Sequence, residues 1–225
     1  LQLNLDLGQQ LLELGWLLLL LLVALLLGLG WLATRWLNHR HSRALLKGFD
    51  ESSRGRARAP KFAPRGGLIA QIEPPPEPFA SFWVTYQPGP RFDLLARLLR
   101  PRNQLADQLT ITAMLPQRPR QELQWRRNEI PDRALGKSPG AELWTVHWLD
   151  FVQCEYATRG ANPAALVHTF TELQTRFEPL LYEVAVLAET RPQITVRLRG
   201  AGLNPAAIPA LVSLVRAAGR ASLIV

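Results

Sequence analysis

The 225-residue chain contains one cysteine, Cys154, so it closes no internal disulfide. It does not read as a cross-linked scaffold of an oxidising compartment. The sole methionine, Met114, is internal, so processing or a missing N-terminal piece is expected ahead of Leu1. Phosphate-cradling loops are also missing. No strand-like run leads into a Gly-x-Gly-x-x-Gly, and the Gly136-Lys137-Ser138 triplet has Pro131 where the first glycine of a phosphate loop would stand. The carboxylates Asp132, Asp150, Glu155 and Glu183 are scattered rather than paired for acid–base work. A hydrolytic triad would have to draw on Cys154, His147 and His168. No tight glycine turn surrounds Cys154, which sits in an alternating strand-like run as a small buried hydrophobe. The same three residues leave a zinc site one ligand short and match no finger spacing. The expectation is therefore a non-enzymatic chain, with no catalytic residues, no cofactor and no metal.

Lysine is scarce as well, being confined to Lys47, Lys61 and Lys137. The Arg/Ala/Leu-rich composition looks like that of a high-GC bacterium, which makes a bacterial inner membrane the expected location. A membrane is called for by what the chain has in excess, which is leucine. Residues 14–34 carry no charge and would form a helix about 32 Å long, enough to cross a hydrocarbon core of roughly 30 Å. A secretory signal would have a basic start and a shorter core, whereas this run is preceded by Asp6 and Glu13. A soluble core helix would not be apolar all round. Trp16 and Trp36 are spaced to place an indole at each interface, with Trp31 near the second.

The net charge of +8 is concentrated beyond this run. Residues 35–65 hold nine Arg/Lys against Asp50 and Glu51, a local +7. Arg35, Arg40, Arg43 and Lys47 follow the span and no cation precedes it. The positive-inside rule then puts the N-terminus outside and the rest of the chain in the cytoplasm. Anionic lipid headgroups are the nearest polyanion for this basic stretch. The span has no intramembrane charge and no Gly-x-x-x-Gly face, so a lateral partner would have to use Gly28 and Gly30.

The organisation expected is an extracytoplasmic segment (1–13), a transmembrane helix (14–37), a basic then proline-rich linker (38–78) and a cytoplasmic domain (79–225). The linker reads as a solvated tether ending in Glu-Pro-Pro-Pro-Glu-Pro, a stiff polyproline spacer. Strands are predicted over 81–86, 109–115, 121–127, 142–149, 152–158, 181–190 and 193–200, from β-branched and aromatic content and alternation. The runs 109–115 and 121–127 are expected to pair as a hairpin, as are the next two. Helices are predicted over 92–100, from Asn162-Pro163 to 177, and from Asn204-Pro205 to about Gly219. Pro209 lies too far in for a first turn, so the last helix is expected to start late or bend there. Helices alternating with strand pairs make this an α+β domain, an antiparallel sheet covered by helices. The helix–strand–strand order at 92–127 and again at 163–199 suggests an internal duplication.

Trp125 beside Arg126 and Arg127 forms an aromatic–basic cluster of the kind that holds single-stranded nucleic acid or contacts a partner. The chain after residue 65 has a net charge of only about +3, which argues against nucleic acid as the main partner.

The stretch LLARLLRPRNQLADQLTITAML, residues 94–115, resembles the Leu-Ala-Arg-x-x-Arg-Pro run of the calumin family, in which an Asp-Gln and an alternating strand follow. The matching positions are Leu95, Ala96, Arg97, Arg100, Pro101, Asp107 and Gln108, with two extra residues before the Asp-Gln. The order of span, basic stretch, aromatic strand and helix is similar too. That family's acidic luminal region and long charged C-terminal coil have no counterpart here. The resemblance implies a single-span protein whose cytosolic domain assists insertion of multipass proteins. The residues on their own imply an accessory or assembly subunit that binds integral-membrane protein subunits. A membrane-tethered binder of nucleic acid or another polyanion is the third reading.

Overall fold

The computed structural model describes residues 2–53, 56–63, 66–89, 106–127, 144–149, 154–200 and 202–224. The first element, α1, is one unbroken helix over Gln2–Ser53. Its surroundings change abruptly at Thr34. The apolar stretch before that point is almost bare, with 6% of its most hydrophobic window buried. From Thr34 onward Asn38, Ser42, Leu45, Phe49 and Ser53 form a buried stripe at three- and four-residue spacing, the signature of a helix docked along one side.

Nine strands then build one sheet: β1 (Arg56–Phe62), β2 (Leu68–Glu73), β3 (Ser81–Gln87), β4 (Gln108–Met114), β5 (Glu122–Arg126), β6 (Thr145–Leu149), β7 (Cys154–Arg159), β8 (Leu181–Val186) and β9 (Ile194–Arg199). Their order across the sheet is β1-β2-β3-β4-β9-β8-β5-β7-β6, and every neighbouring pair is antiparallel. Helix α2 (Ala164–Phe177) links β7 to β8, which run parallel with β5 between them. A 3-10 turn at Pro205–Ala207 leads into α3 (Ile208–Ala221). The fold is therefore α+β with an antiparallel sheet and helices on one face.

The core lies along that face. One registered row crosses the sheet through Ala70, Val84, Ile111, Val196, Val184, Trp125 and Tyr156. Every member is buried. Strand alternation supplies the row, since apolar residues sit at every second position. Above it lie Phe170 and Leu173 of α2, Leu211 and Val215 of α3, and Leu45 and Phe49 of α1, all in one hydrophobic cluster. The Phe170 ring stands 5.7 Å from Trp125 and 5.3 Å from Tyr156, within the range for favourable aromatic pairs.

Several expectations are corrected. Residues 38–78 are not a linker: they complete α1, form β1 and β2, and belong to the folded domain, which therefore begins well before residue 79. The buried positions of the helical part are largely Asn38, Ser42 and Ser53. A hydropathy pattern cannot mark a stripe made of small polar residues. The proline run is not a spacer either. It joins the adjacent strands β2 and β3 and closes when Phe79 N–H donates to the Pro76 carbonyl at 3.0 Å, burying Phe79 against Phe82.

The hairpin expected between β4 and β5 does not form, because the β8–β9 hairpin stands between them. Their connection runs instead to the end of α3, where Arg120 N–H and Gln121 N–H both donate to the Ser222 carbonyl. With β8 and β9 paired and β4 and β5 apart, the suspected duplication has no counterpart in the pairing. The β6–β7 pairing is as expected, and β8 pairs with β9, the next strand in the chain. The helix expected over 92–100 lies outside the described residues. Asn162 is not a side-chain cap of α2, whereas the Asn204 side chain accepts from Ala206 N–H at 3.0 Å. Gly219 does not end α3. It sits inside the helix where an added Cβ would come within 2.6 Å of the Phe79 ring. Pro209 stands in the first turn of α3, which indeed starts late, after the 3-10 turn.

Candidate functional site

Strand β1 runs back along α1. The Ala57 N–H donates to the Asp50 carboxylate at 2.8 Å, and the Phe62 ring lies 6.0 Å from His39. Between those contacts the helix advances about 16 Å and the strand about 17 Å, so the two are nearly antiparallel. The β1–β2 turn is seated on the helix. Ser42 donates its hydroxyl to the Gly66 carbonyl, and Gly66 (φ +83°) comes so close that a Cβ would sit 2.7 Å from that of Asn38. Farther along, a Cβ on Gly48 would fall 2.9 Å from Ile208, where α1 crosses the start of α3. The first sheet edge and α3 thus grip α1 immediately after its bare apolar stretch.

The exposed side of α1 at this exit carries the basic residues. Leu32, Arg35, Trp36, His39, Arg40 and Arg43 line a shallow, open groove between side chains on one face of the helix. Arg35 lies over the Trp31 ring at 5.4 Å and Arg40 over Trp36 at 5.6 Å, cation–π geometry that holds each guanidinium near an indole. Arg35, His39, Arg43 and Lys47 follow one another at four-residue spacing, a single line up the helix. Among the described residues no carboxylate pairs with Arg35, Arg40 or Arg43. Lys47 meets Glu51 at 3.7 Å. Five of the seven expected interface residues, Trp31, Arg35, Trp36, Arg40 and Arg43, therefore gather at one site. Lys47 stands one turn beyond, and Trp16 is exposed near the other end of the apolar stretch.

Gly28 is also exposed, and an added Cβ there would meet nothing within 4 Å. It contributes nothing to packing within the chain. Gly30 is half-buried.

The aromatic–basic cluster comes apart. Trp125 is 1% exposed and points into the helix-covered core. Alternation along β5 sends Arg126 to the opposite face, where it meets Glu183 at 3.2 Å, and Arg197 approaches the other oxygen of Glu183 at 3.1 Å. Arg127, beyond the strand, donates to the Pro179 carbonyl at 2.6 Å and lies 3.6 Å from Glu178. The three share neither a face nor a free surface.

Two polar clusters escaped the sequence reading. Asp107 is buried and accepts from the Tyr86 hydroxyl at 2.9 Å and from Gly89 N–H at 2.6 Å. The Tyr86 ring lies 5.3 Å from His41, which ties this cluster to α1. Glu122, also buried, pairs with Arg159 and accepts from Ala188 N–H at 2.6 Å. Both carboxylates have roles in holding loops and strands together. His147 stacks on Tyr156 at 5.0 Å, with Nε2 2.9 Å from the Thr158 hydroxyl. His168 is exposed beside Glu172 on α2. The Cys154 side chain lies outside the described residues. Among the described residues no three metal-ligating side chains converge.

No protein-family model and no curated protein matches the chain. Among the described residues one helix is long and apolar enough to cross a membrane.

Proposed function

We propose that the protein is a non-catalytic, single-pass accessory or assembly subunit of a larger integral-membrane complex. Its N-terminus lies outside, and its α+β domain is held against the cytoplasmic face. The observation that carries this reading is the division of α1. Residues 14–33 are bare, while 34–53 of the same unbroken helix are built into the domain core. Leaving a leucine in water rather than burying it forfeits on the order of 1–2 kcal/mol. Over this stretch the loss reaches tens of kcal/mol, free energy that the chain gains only where the stretch is covered. A bilayer removes that cost. The basic residues immediately past the apolar stretch, with no cation before it, support the N-out orientation.

The continuity of α1 is what favours an assembly role over a simple anchor. A flexible tether would let the domain roam, whereas a shared helix fixes its height and rotation over the membrane. A subunit that fits one place in a complex needs both. The test is purification of the intact chain in mild detergent with mass spectrometry of what accompanies it. A stoichiometric multipass partner is the expected result, and recovery as a lone monomer overturns the proposal.

The calumin-like alternative, a chaperone partner in membrane-protein insertion, predicts salt-sensitive co-purification with ribosomes or translocation components instead. Its motif retains Asp107 as a structural carboxylate and Gln108 as the first residue of β4. The third reading, a tethered nucleic-acid or polyanion binder, predicts affinity that falls steeply with salt. It loses the support of Trp125, which is buried.

A further inference from the structure

We propose that the groove lined by Leu32, Arg35, Trp36, His39, Arg40 and Arg43 is a stoichiometric binding site for one anionic phospholipid, and that the bound lipid locks the domain to the bilayer surface. The inference rests on the reading that residues 14–33 cross a membrane, and it goes beyond a general attraction of basic residues to lipid.

Three observations carry it. First, the lining is graded along the helix axis. Leu32 continues the bare apolar surface, Trp36 follows, and Arg35, His39, Arg40 and Arg43 lie around and above it. From Leu32 to Arg43 is about 16 Å of helix, so one molecule with acyl chains against Leu32 and a phosphate among the guanidiniums spans the groove. Second, the charge is uncompensated. Among the described residues no carboxylate pairs with its three arginines, and no carboxylate is among its lining residues. Third, the cations are held in place. Two of the guanidiniums are steadied over indoles at 5.4 and 5.6 Å, so less side-chain freedom is lost on binding.

A free phosphate would use the arginines but leave Leu32 and Trp36 without a role. A phospholipid uses both, and the site stands where the apolar stretch meets the domain. Each cation at a lipid surface strengthens binding about fivefold. Arg35 and Arg43 face the same line of the helix and are exposed, so their removal leaves the fold intact.

The experiment reconstitutes the full chain in nanodiscs of phosphatidylcholine with a minor fraction of phosphatidylglycerol. Lipids retained after extraction are counted by native mass spectrometry. One retained phosphatidylglycerol per chain is expected, and the double substitution Arg35→Gln with Arg43→Gln should weaken retention about 25-fold. The pair Arg118→Gln with Arg120→Gln, at the far end of the sheet, should have no effect. Tryptophan fluorescence of the wild type should be quenched by brominated phosphatidylglycerol more than by brominated phosphatidylcholine, and Trp36→Phe should remove that excess, which reads the site without extraction. Equal retention of both lipids, an equal effect of the distant pair, or competition by millimolar inorganic phosphate each overturns the proposal. Extraction of the protein by alkaline carbonate would instead sink the membrane-spanning reading itself. Resistance to carbonate with no lipid preference sinks only the site.

Discussion

Phe49 tests whether the second half of α1 is part of the domain core. Its side chain is 0% exposed and lies in the cluster with Leu45 of α1 and Leu211 of α3. Replacing it with alanine removes the ring's transfer free energy and leaves a cavity that the packed sheet and α3 cannot fully close. Phe-to-Ala changes at such sites cost about 3–5 kcal/mol. For a domain of this size each kcal/mol lowers the melting temperature by about 2–4 °C, so a drop on the order of 10 °C is expected. The measurement is thermal unfolding of the full chain in detergent, followed by near-ultraviolet circular dichroism, to which packed aromatics such as Trp125 and Phe170 contribute. The matched control is Lys47→Ala, two residues away on the same helix. That side chain is 78% exposed and paired only with Glu51 across one turn. An exposed pair of this kind contributes at most about 0.5 kcal/mol, a shift of roughly 2 °C or less. If Phe49→Ala and Lys47→Ala melt together, the helix beyond Thr34 is a tether lying loosely on the domain, and the argument for a fixed placement fails.

Gly66→Ala should destabilise by roughly 2–4 kcal/mol, because the position combines a positive φ with a Cβ 2.7 Å from Asn38; chemical denaturation reads the change. Asp107→Ala should cost about 3 kcal/mol through loss of the bonds from Tyr86 and Gly89. Tyr86→Phe should cost less, since Gly89 still satisfies one carboxylate oxygen, and the same melts order the two. Gly28→Leu should leave the melting temperature unchanged, as the added side chain meets nothing within the chain. It should lower the yield of any membrane partner in a pull-down if that face is the lateral contact.

What the sequence made legible follows from the strength of each periodic signal. β3, β4 and β9 alternate cleanly because one face is covered by helices, and their expected ranges, like that of β5, lie within a residue of those observed; β8, buried at five of its six positions, ends four residues before its expected limit. The α+β class followed from them. The pairing of β4 with β5 was misread because sequence proximity favours hairpins, and only the docking of residues 120–121 on the end of α3 redirects the chain. The folded part of residues 34–73 was missed for a different reason. Its helix buries Asn38 and Ser42 and brings Gly48 close against Ile208, and its turn buries Gly66, residues suited to close approach rather than to hydrophobicity. Close packing through small residues leaves Leu45 and Phe49 as the fully buried apolar positions of this helical stretch, too few to stand out as a stripe. At the candidate site, Arg35, Trp36, Arg40 and Arg43 were legible from charge asymmetry. Trp125 was not separable from Arg126 and Arg127 without knowing which face of β5 is covered.

The near-antiparallel run of β1 along α1 has a consequence for how the domain presents itself. On the proposed reading, in which residues 14–33 cross the bilayer, the first strands would stand roughly along the membrane normal, with the β1–β2 turn, the start of β4 and the end of β9 at the bilayer end of the sheet. A partner that recognises this arrangement recognises an orientation, which can be altered without touching any contact. Each residue inserted between Ala33 and Thr34 rotates the domain by about 100° and lifts it about 1.5 Å. Two inserted alanines therefore turn it by about 200° with a lift of only about 3 Å. Seven turn it by about 20° short of two full rotations but lift it by about 10 Å. Neither insertion disturbs the stripe from Thr34 to Ser53, so the melting temperature should hold in both. If rotation governs assembly, the two-residue insertion abolishes partner recovery and the seven-residue insertion retains more of it. If height governs, the order reverses. A tethered domain would tolerate both, and equal partner recovery from wild type and the two insertions would refute the shared-helix account of how this protein is placed.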